Sequence, residues 1–205
     1  AERVAEGSQK GSLSLAQLHA MIDANERIKY DTRNRNLLKT RNALLLKFLY
    51  LTAARRSEAA NLKWEDLHQD GEFQVVILQQ TKSGEPQKLK LRRELFEELE
   101  CWNETLKTNQ IECEWVFPSL SFRTLGGKMS GKGVNDVVSK LGSAIGLKIS
   151  AHYLRHTAIT LALELGEPLQ KVQSYARHAS ANTTIRYFHD QQFLEKNPTD
   201  RLPMI

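Results

Sequence analysis

The chain is poor in cysteine and in proline, with two of the first and five of the second among 205 residues. Cys101 and Cys113 lie twelve positions apart in polar surroundings, which matches neither a disulfide framework nor the ligand spacing of a zinc site. Long apolar runs are missing too: the densest, "ALLLKFLYLTAA" at residues 43–54, is broken by Lys47 and is too short to cross a bilayer. The first residues are charged and small, without the apolar core of a secretory signal. These absences point to a reducing, cytoplasmic setting with no membrane partner. No cluster of Asp and Glu suited to holding paired magnesium ions is present either, so no metal and no cofactor is expected. Internal repeats and low-complexity segments are also missing.

What remains is ordinary for a globular chain: 40% hydrophobic and 26% charged residues, in a length sufficient for one core. The net charge of +5 favours a polyanionic partner without requiring one. Local clusters are more informative. "RNRNLLKTR" (residues 33–41), "KLKLRR" (88–93) and "FRTLGGKMSGKG" (122–133) mix Lys and Arg with Gly, Ser, Thr and Asn, which suits contacts to phosphate as well as a solvated surface.

Residues 1–13 carry no apolar period and read as a linker or tail. Ser14 then caps a helix with Leu15, Leu18, Met21 and Ile22 at helical spacing. A second helix over 36–51 is so dense in leucine that burial on most sides is expected, making it the central element. A third opens at Ser57 and runs to Glu65 and Asp66. The period then changes: "EFQVVILQQ" is β-branched, "PQKLKLRR" alternates apolar with basic, and "TKSGEP" between them holds turn formers, which predicts a β-hairpin with Lys82 at its end. Further helices are predicted over 94–108, 133–145, 151–165, 168–176 and 183–188. The fold class is therefore mainly α with a small antiparallel β-sheet (α+β), a body over 14–190 and a tail over 191–205 that docks on a neighbour or on its own domain.

The stretch "AHYLRHTAITLALELG", residues 151–166, puts two histidines and an arginine into an otherwise apolar helix. At 100° per residue, Leu154, Ala158, Leu161 and Leu165 share one face, and His152, Arg155 and His156 gather opposite. Ile159 and Leu163 lie toward the polar side, so the cluster borders a cleft. Read alone, it fits a helix cap plus a core histidine as well as an anion site. The i, i+4 histidines do not make a zinc protease motif, because Tyr153 stands where that motif needs its glutamate base.

Two further stretches join this one. "LTAARRSEAANLKWEDL" puts Arg55 at a helix junction, and "YARHASANTTIRYFH" puts His178 and Tyr187 nine positions apart. Together with "AHYLRH" they resemble the tyrosine recombinase (phage integrase-like) family. Residues 52–58, Thr-Ala-Ala-Arg-Arg-Ser-Glu, stand in place of the Thr-Gly-Leu-Arg-x-Ser-Glu segment that carries that family's first catalytic arginine, and Arg55 rather than Arg56 keeps the distance to Ser57 and Glu58. The family's His-x-x-Arg corresponds to His152 and Arg155, its Leu-Gly-His with a following tyrosine to Ala176, Arg177, His178 and Tyr187, and its hairpin lysine to Lys82. Two departures stand out: Ala53-Ala54 replaces Gly-Leu, and Arg177 replaces a glycine where a positive φ angle would be costly.

The resemblance implies the catalytic domain of a DNA recombinase or integrase of a bacterium or phage, acting as a homotetramer on double-stranded DNA when full length. It implies a six-residue site of Arg55, Lys82, His152, Arg155, His178 and Tyr187. Arg55 and Arg155 would hold the charge of a five-coordinate phosphorus, with Tyr187 as nucleophile, His152 as base, Lys82 as acid and His178 as a hydrogen-bond donor. Arg56, Lys128, Lys132 and Arg177 are candidate DNA-phosphate contacts, and His156 reads as structural. Two alternatives stay open: a catalytically impaired DNA-binding module of the same fold, and a type IB topoisomerase or telomere resolvase.

Overall fold

The computed structural model describes residues 11–30, 32–79 and 85–177. In chain order the elements are α1 (Leu15–Arg27), α2 (Arg35–Thr52), α3 (Arg56–Ala60), β1 (Leu67–Asp70), β2 (Phe73–Leu78), β3 (Gln87–Leu91), α4 (Arg93–Thr108), α5 (Gly131–Ser143), α6 (Ala151–Glu164) and α7 (Leu169–Ala176). The expected α+β class is the one observed.

α2 is the central helix, as its leucine density predicts. Leu44, Leu45, Leu46, Phe48 and Leu49 are all buried, and α1, α3, α4, α5, α6 and β3 pack around it. Phe48 meets Phe117 with ring centroids 5.6 Å apart. Some of its polar residues are buried too: Arg41 donates to the Pro118 carbonyl and to Asn42, and burial pushes its guanidinium down to about 10. α1 begins with a reciprocal capping box between Ser14 and Gln17.

The sheet is an antiparallel meander in the order β1-β2-β3, and the predicted hairpin is its β2–β3 half. Leu89 and Leu91 point toward the core and Lys88 and Lys90 outward, the alternation written in "KLKL". β1 was not expected, since residues 61–66 read as the end of a helix. α3 instead stops at Ala60, and the Asp66 carboxylate accepts the backbone N–H of Lys63 to hold a single turn of 3-10 helix. A two-residue turn at Gly71, φ 60°, then pairs Asp70 with Phe73.

α6 and α7 form the last layer of the described chain. Ala158, Ile159, Leu163, Val172 and Ala176 pack on Ala53 at the end of α2. The predicted apolar face of α6 is displaced: Leu165 lies beyond the helix and is 83% exposed, whereas Thr157, Thr160 and Arg155 are buried. A second difference concerns the leading segment. Ser12 and Leu13, expected in a tail, are buried, and the Leu13 N–H donates to Thr157 Oγ1 at 2.8 Å. The predicted helix over 183–188 and the tail over 191–205 lie outside the described residues.

Because Phe48 of α2 has no exposed surface and packs on Phe117, Phe48→Ala should lower the unfolding free energy in urea by about 3–5 kcal/mol. A loss under roughly 1 kcal/mol would mean that α2 is not the element around which the others pack.

Candidate active site

The first turn of α6 faces the α2–α3 junction across a cleft of about 420 Å³, lined among others by Arg55, Arg56, Asn135, Ser150, His152 and Arg155. Three residues singled out by sequence, Arg55, His152 and Arg155, thus meet in one place. A separate apolar groove of about 260 Å³ between α1, α2 and α4 shares none of them.

Arg55 owes its position to the way α2 ends. Ala53 adopts a left-handed conformation, φ 49°, that turns the chain out of the helix, and Arg55 becomes the N-cap residue of α3. Such a conformation costs a non-glycine residue about 1–2 kcal/mol. Glu58 fixes the turn from the other side. Its Oε2 accepts the Arg55 backbone N–H at 2.7 Å, and its Oε1 accepts Arg55 Nη1 at 2.7 Å. The carboxylate is fully buried, while the Arg55 side chain remains 26% exposed toward the cleft.

His152 and Arg155 are set by the start of α6. Asn135 of α5 accepts the Ala151 N–H at 3.0 Å, satisfying one of the donors that a helix leaves open at its first turn. One turn on, Arg155 is buried and its guanidinium donates to the carbonyls of Ala53 and Ala176. The His152 imidazole is held below the ordinary histidine range by loss of solvent in the cleft and, beyond that, by the positive charges of Arg155 and Arg55. It is therefore the neutral form, able to accept a proton, that the site favours.

The last turn of α2 would otherwise present orphan carbonyls, and Tyr175 of α7, Arg177 directly after it and Arg155 of α6 supply donors to those of Tyr50, Leu51, Thr52 and Ala53. Tyr175 Oη donates to Tyr50 O at 3.2 Å and Leu51 O at 3.0 Å. Arg177 donates to Thr52 O at 3.1 Å and Ala53 O at 3.0 Å, and Arg155 shares Ala53 O. Burial pushes the Tyr175 phenol upward, so this tyrosine is held neutral by the core.

Arg177 is the departure from sequence expectation. Read as a phosphate contact, it is instead turned inward, its side chain 3% exposed, with Nη2 2.8 Å from Glu58 Oε2. Its backbone is left-handed, φ 55°, the positive φ that fits the glycine the resemblance puts at this position. Burial lowers its guanidinium from the usual arginine range, with Glu58 opposing and Arg55 adding to the shift.

Of the other candidates, Arg56 is exposed on the cleft wall, and Lys128 lies 5.2 Å from the centre of the Trp115 ring, a cation–π contact. Lys132 pairs with Asp136 at 3.0 Å in an exposed i, i+4 contact that contributes little to stability. His156 lies 6.1 Å from His152, ring to ring, and a side chain at Gly11 would come within 3.3 Å of its Nε2. The leading segment therefore covers His156, in keeping with a structural role. Lys82, His178 and Tyr187 lie outside the described residues. Sequence reasoning missed Asn135, which nothing in its surroundings marks. The role of Glu58 as a cap was legible in its position three residues after Arg55.

A family model described as the phage integrase family matches residues 12–193. The tyrosine recombinase XerA of Pyrococcus horikoshii is 33% identical over 147 residues, 72% of this chain and 50% of that protein. A tyrosine recombinase of Synechococcus elongatus is 31% identical over 173 residues, 82% of this chain and 53% of its own length. The chain thus spans about half the length of the curated relatives it matches. Among solved structures, XerH site-specific recombinase bound to palindromic difH substrate superimposes with a TM-score of 0.75 at 22% identity, covering 97% of this chain and 55% of that one. XerA recombinase gives 0.71 at 22% identity, covering 97% and 68%. At these identities the structural likeness establishes the fold.

In an NMR titration of the ring protons, His152 should titrate below the ordinary value of about 6.5, and Arg55→Ala should move it upward. A midpoint at or above the ordinary value would contradict the electrostatic account of the cleft.

Proposed function

The chain belongs to the phage integrase family, and on that premise we propose that it is the catalytic domain of a tyrosine recombinase that cuts and rejoins double-stranded DNA through a covalent 3′-phosphotyrosine. The observation that carries this reading is the convergence of Arg55, His152 and Arg155 on one cleft, from segments far apart in the sequence.

Attack on a phosphodiester places extra negative charge on the non-bridging oxygens of phosphorus. The planar guanidinium groups of Arg55 and Arg155, able to donate paired hydrogen bonds, suit that charge. In the proposed reaction the Tyr187 Oη–phosphorus bond forms as the bond from phosphorus to the 5′ oxygen breaks. His152, kept neutral by its surroundings, takes the tyrosine proton, Lys82 gives one to the departing 5′ oxygen, and His178 adds a hydrogen bond to the phosphate. The phosphotyrosine conserves the energy of the original bond, so a 5′ hydroxyl from another strand reseals the DNA without ATP. The two arginines provide the charge stabilisation that a metal would supply in other phosphoryl-transfer sites.

Arg56, Lys128 and Lys132 are proposed to meet the DNA backbone around the cleft, in a cytoplasmic enzyme that assembles as a homotetramer on paired sites. Lys128 and Lys132 flank the start of α5, and Gly131 there packs against Arg56. No helix among the described residues is long and apolar enough to cross a membrane.

The test is covalent capture on a pool of nicked duplexes of randomised sequence, resolved under denaturing conditions. Wild-type protein should form an adduct, and Tyr187→Phe should form none. Arg55→Ala and Arg155→Ala should each slow cleavage by roughly a hundredfold or more while retaining most binding. Binding without any wild-type adduct would favour the DNA-binding module instead. Relaxation of any supercoiled plasmid without paired sites would favour a topoisomerase. With His152 as base, the cleavage rate should stay level as pH falls through about 6.5 and drop only below it; His152→Gln should remove that limb.

A further inference from the structure

We propose that Arg177 is a positioning residue for the phosphate site: its buried guanidinium anchors and neutralises Glu58, which leaves Arg55 both fixed in place and free to spend its charge on a phosphate. The inference rests on the recombinase reading and adds a residue to it.

Arg177 occupies a backbone conformation that glycine adopts without strain and arginine does not. A strained residue persists where its side chain gives something back. Here the side chain makes four contacts, to Thr52 O, Ala53 O, Tyr175 O and Glu58 Oε2, and is almost wholly removed from water. The bonds to Thr52 O and Ala53 O fasten the end of α7 to the end of α2, and the bond to Tyr175 O is local to α7. The bond to Glu58 does something different.

Glu58 is buried and uses both oxygens on the segment that carries Arg55. If Arg55 were its only cationic partner, the two formal charges would cancel, and the arginine facing the cleft would have little attraction left for an anion. With Arg177 on the second oxygen, the three groups carry one net positive charge, and Arg155 stands beside them at the shared carbonyl of Ala53. Low solvent exposure strengthens each of these interactions. The side chain that leaves the surface therefore still serves the site, through Glu58, without touching the substrate.

The experiment uses the whole protein and the nicked duplex that wild type captures from the randomised pool, and measures single-turnover cleavage, DNA affinity and thermal unfolding. Arg177→Gly suits the backbone angle, and Arg177→Gln keeps a donor but not the charge. Each should cleave roughly tenfold more slowly or worse, while affinity changes by no more than about threefold, the scale expected when a charged hydrogen-bond partner is lost away from the ligand. Arg177→Lys should recover part of the rate that Arg177→Gln loses, which simple packing would not predict. Combined with Glu58→Gln, the losses should be smaller than their product, because the carboxylate that needs neutralising is gone. If Arg177→Gly does not fold, the comparison of Gln with Lys decides. Cleavage by Arg177→Gly or Arg177→Gln within about twofold of wild type overturns the inference and leaves the recombinase reading standing. Equal rates for Gln and Lys, or losses that multiply with Glu58→Gln, also overturn it. Failure of wild type itself to form an adduct removes the recombinase reading, and this inference with it.

Discussion

The last turn of α2 ends in four carbonyls with no partner inside the helix, and the rest of the site is organised by the need to satisfy them. A buried helix end with open carbonyls carries partial negative charge and a desolvation penalty, so it attracts donors, cations above all. Tyr175, Arg177 and Arg155 meet that need from α6 and α7. The central helix thereby gathers guanidinium groups at one point in the fold, and the chain leaving it delivers Arg55 to the same place. Arg155 is held by carbonyls and Arg177 by carbonyls and Glu58, while Arg55 is held by Glu58 and reaches the cleft.

Gathering cations in a small volume is unfavourable unless something offsets their repulsion. Glu58 offsets it in part, and its burial makes the arrangement strict: a carboxylate without solvent must keep its partners. His152 loses solvent in the same cleft, and the positive field of Arg155 and Arg55 adds to that loss in making protonation harder. The charge that attracts an anion thus also helps to keep the imidazole neutral.

Much of this was legible in the sequence where the signal is carried by side-chain identity. The leucine density of α2 and the alternation of β3 follow from residue type and spacing, and Arg55, His152 and Arg155 as a group follow from the resemblance to the tyrosine recombinase family. β1 escaped notice because "LHQD" is short and lacks β-branched residues, although Gly71 directly after Asp70 marks a tight turn. The carbonyl acceptors of Arg155 and Arg177 escaped for a different reason. Every residue has a backbone carbonyl, so nothing in the sequence distinguishes Ala53 O from any other. The inward turn of Arg177 follows from that: its partners are invisible until the ends of α2 and α7 are brought together. Leu165 was misplaced because the helical wheel continued past Glu164, where the helix stops.

α5 touches both walls of the cleft. Gly131, at its start, lies against Arg56 and Ser57, and Asn135, one turn later, holds the first N–H of α6. A helix of 13 residues is a rod about 20 Å long that resists both bending and compression. Gly131 and Asn135 sit one turn apart on that rod, so a single rigid turn sets the spacing between the wall that carries Arg56 and the start of α6 that carries His152.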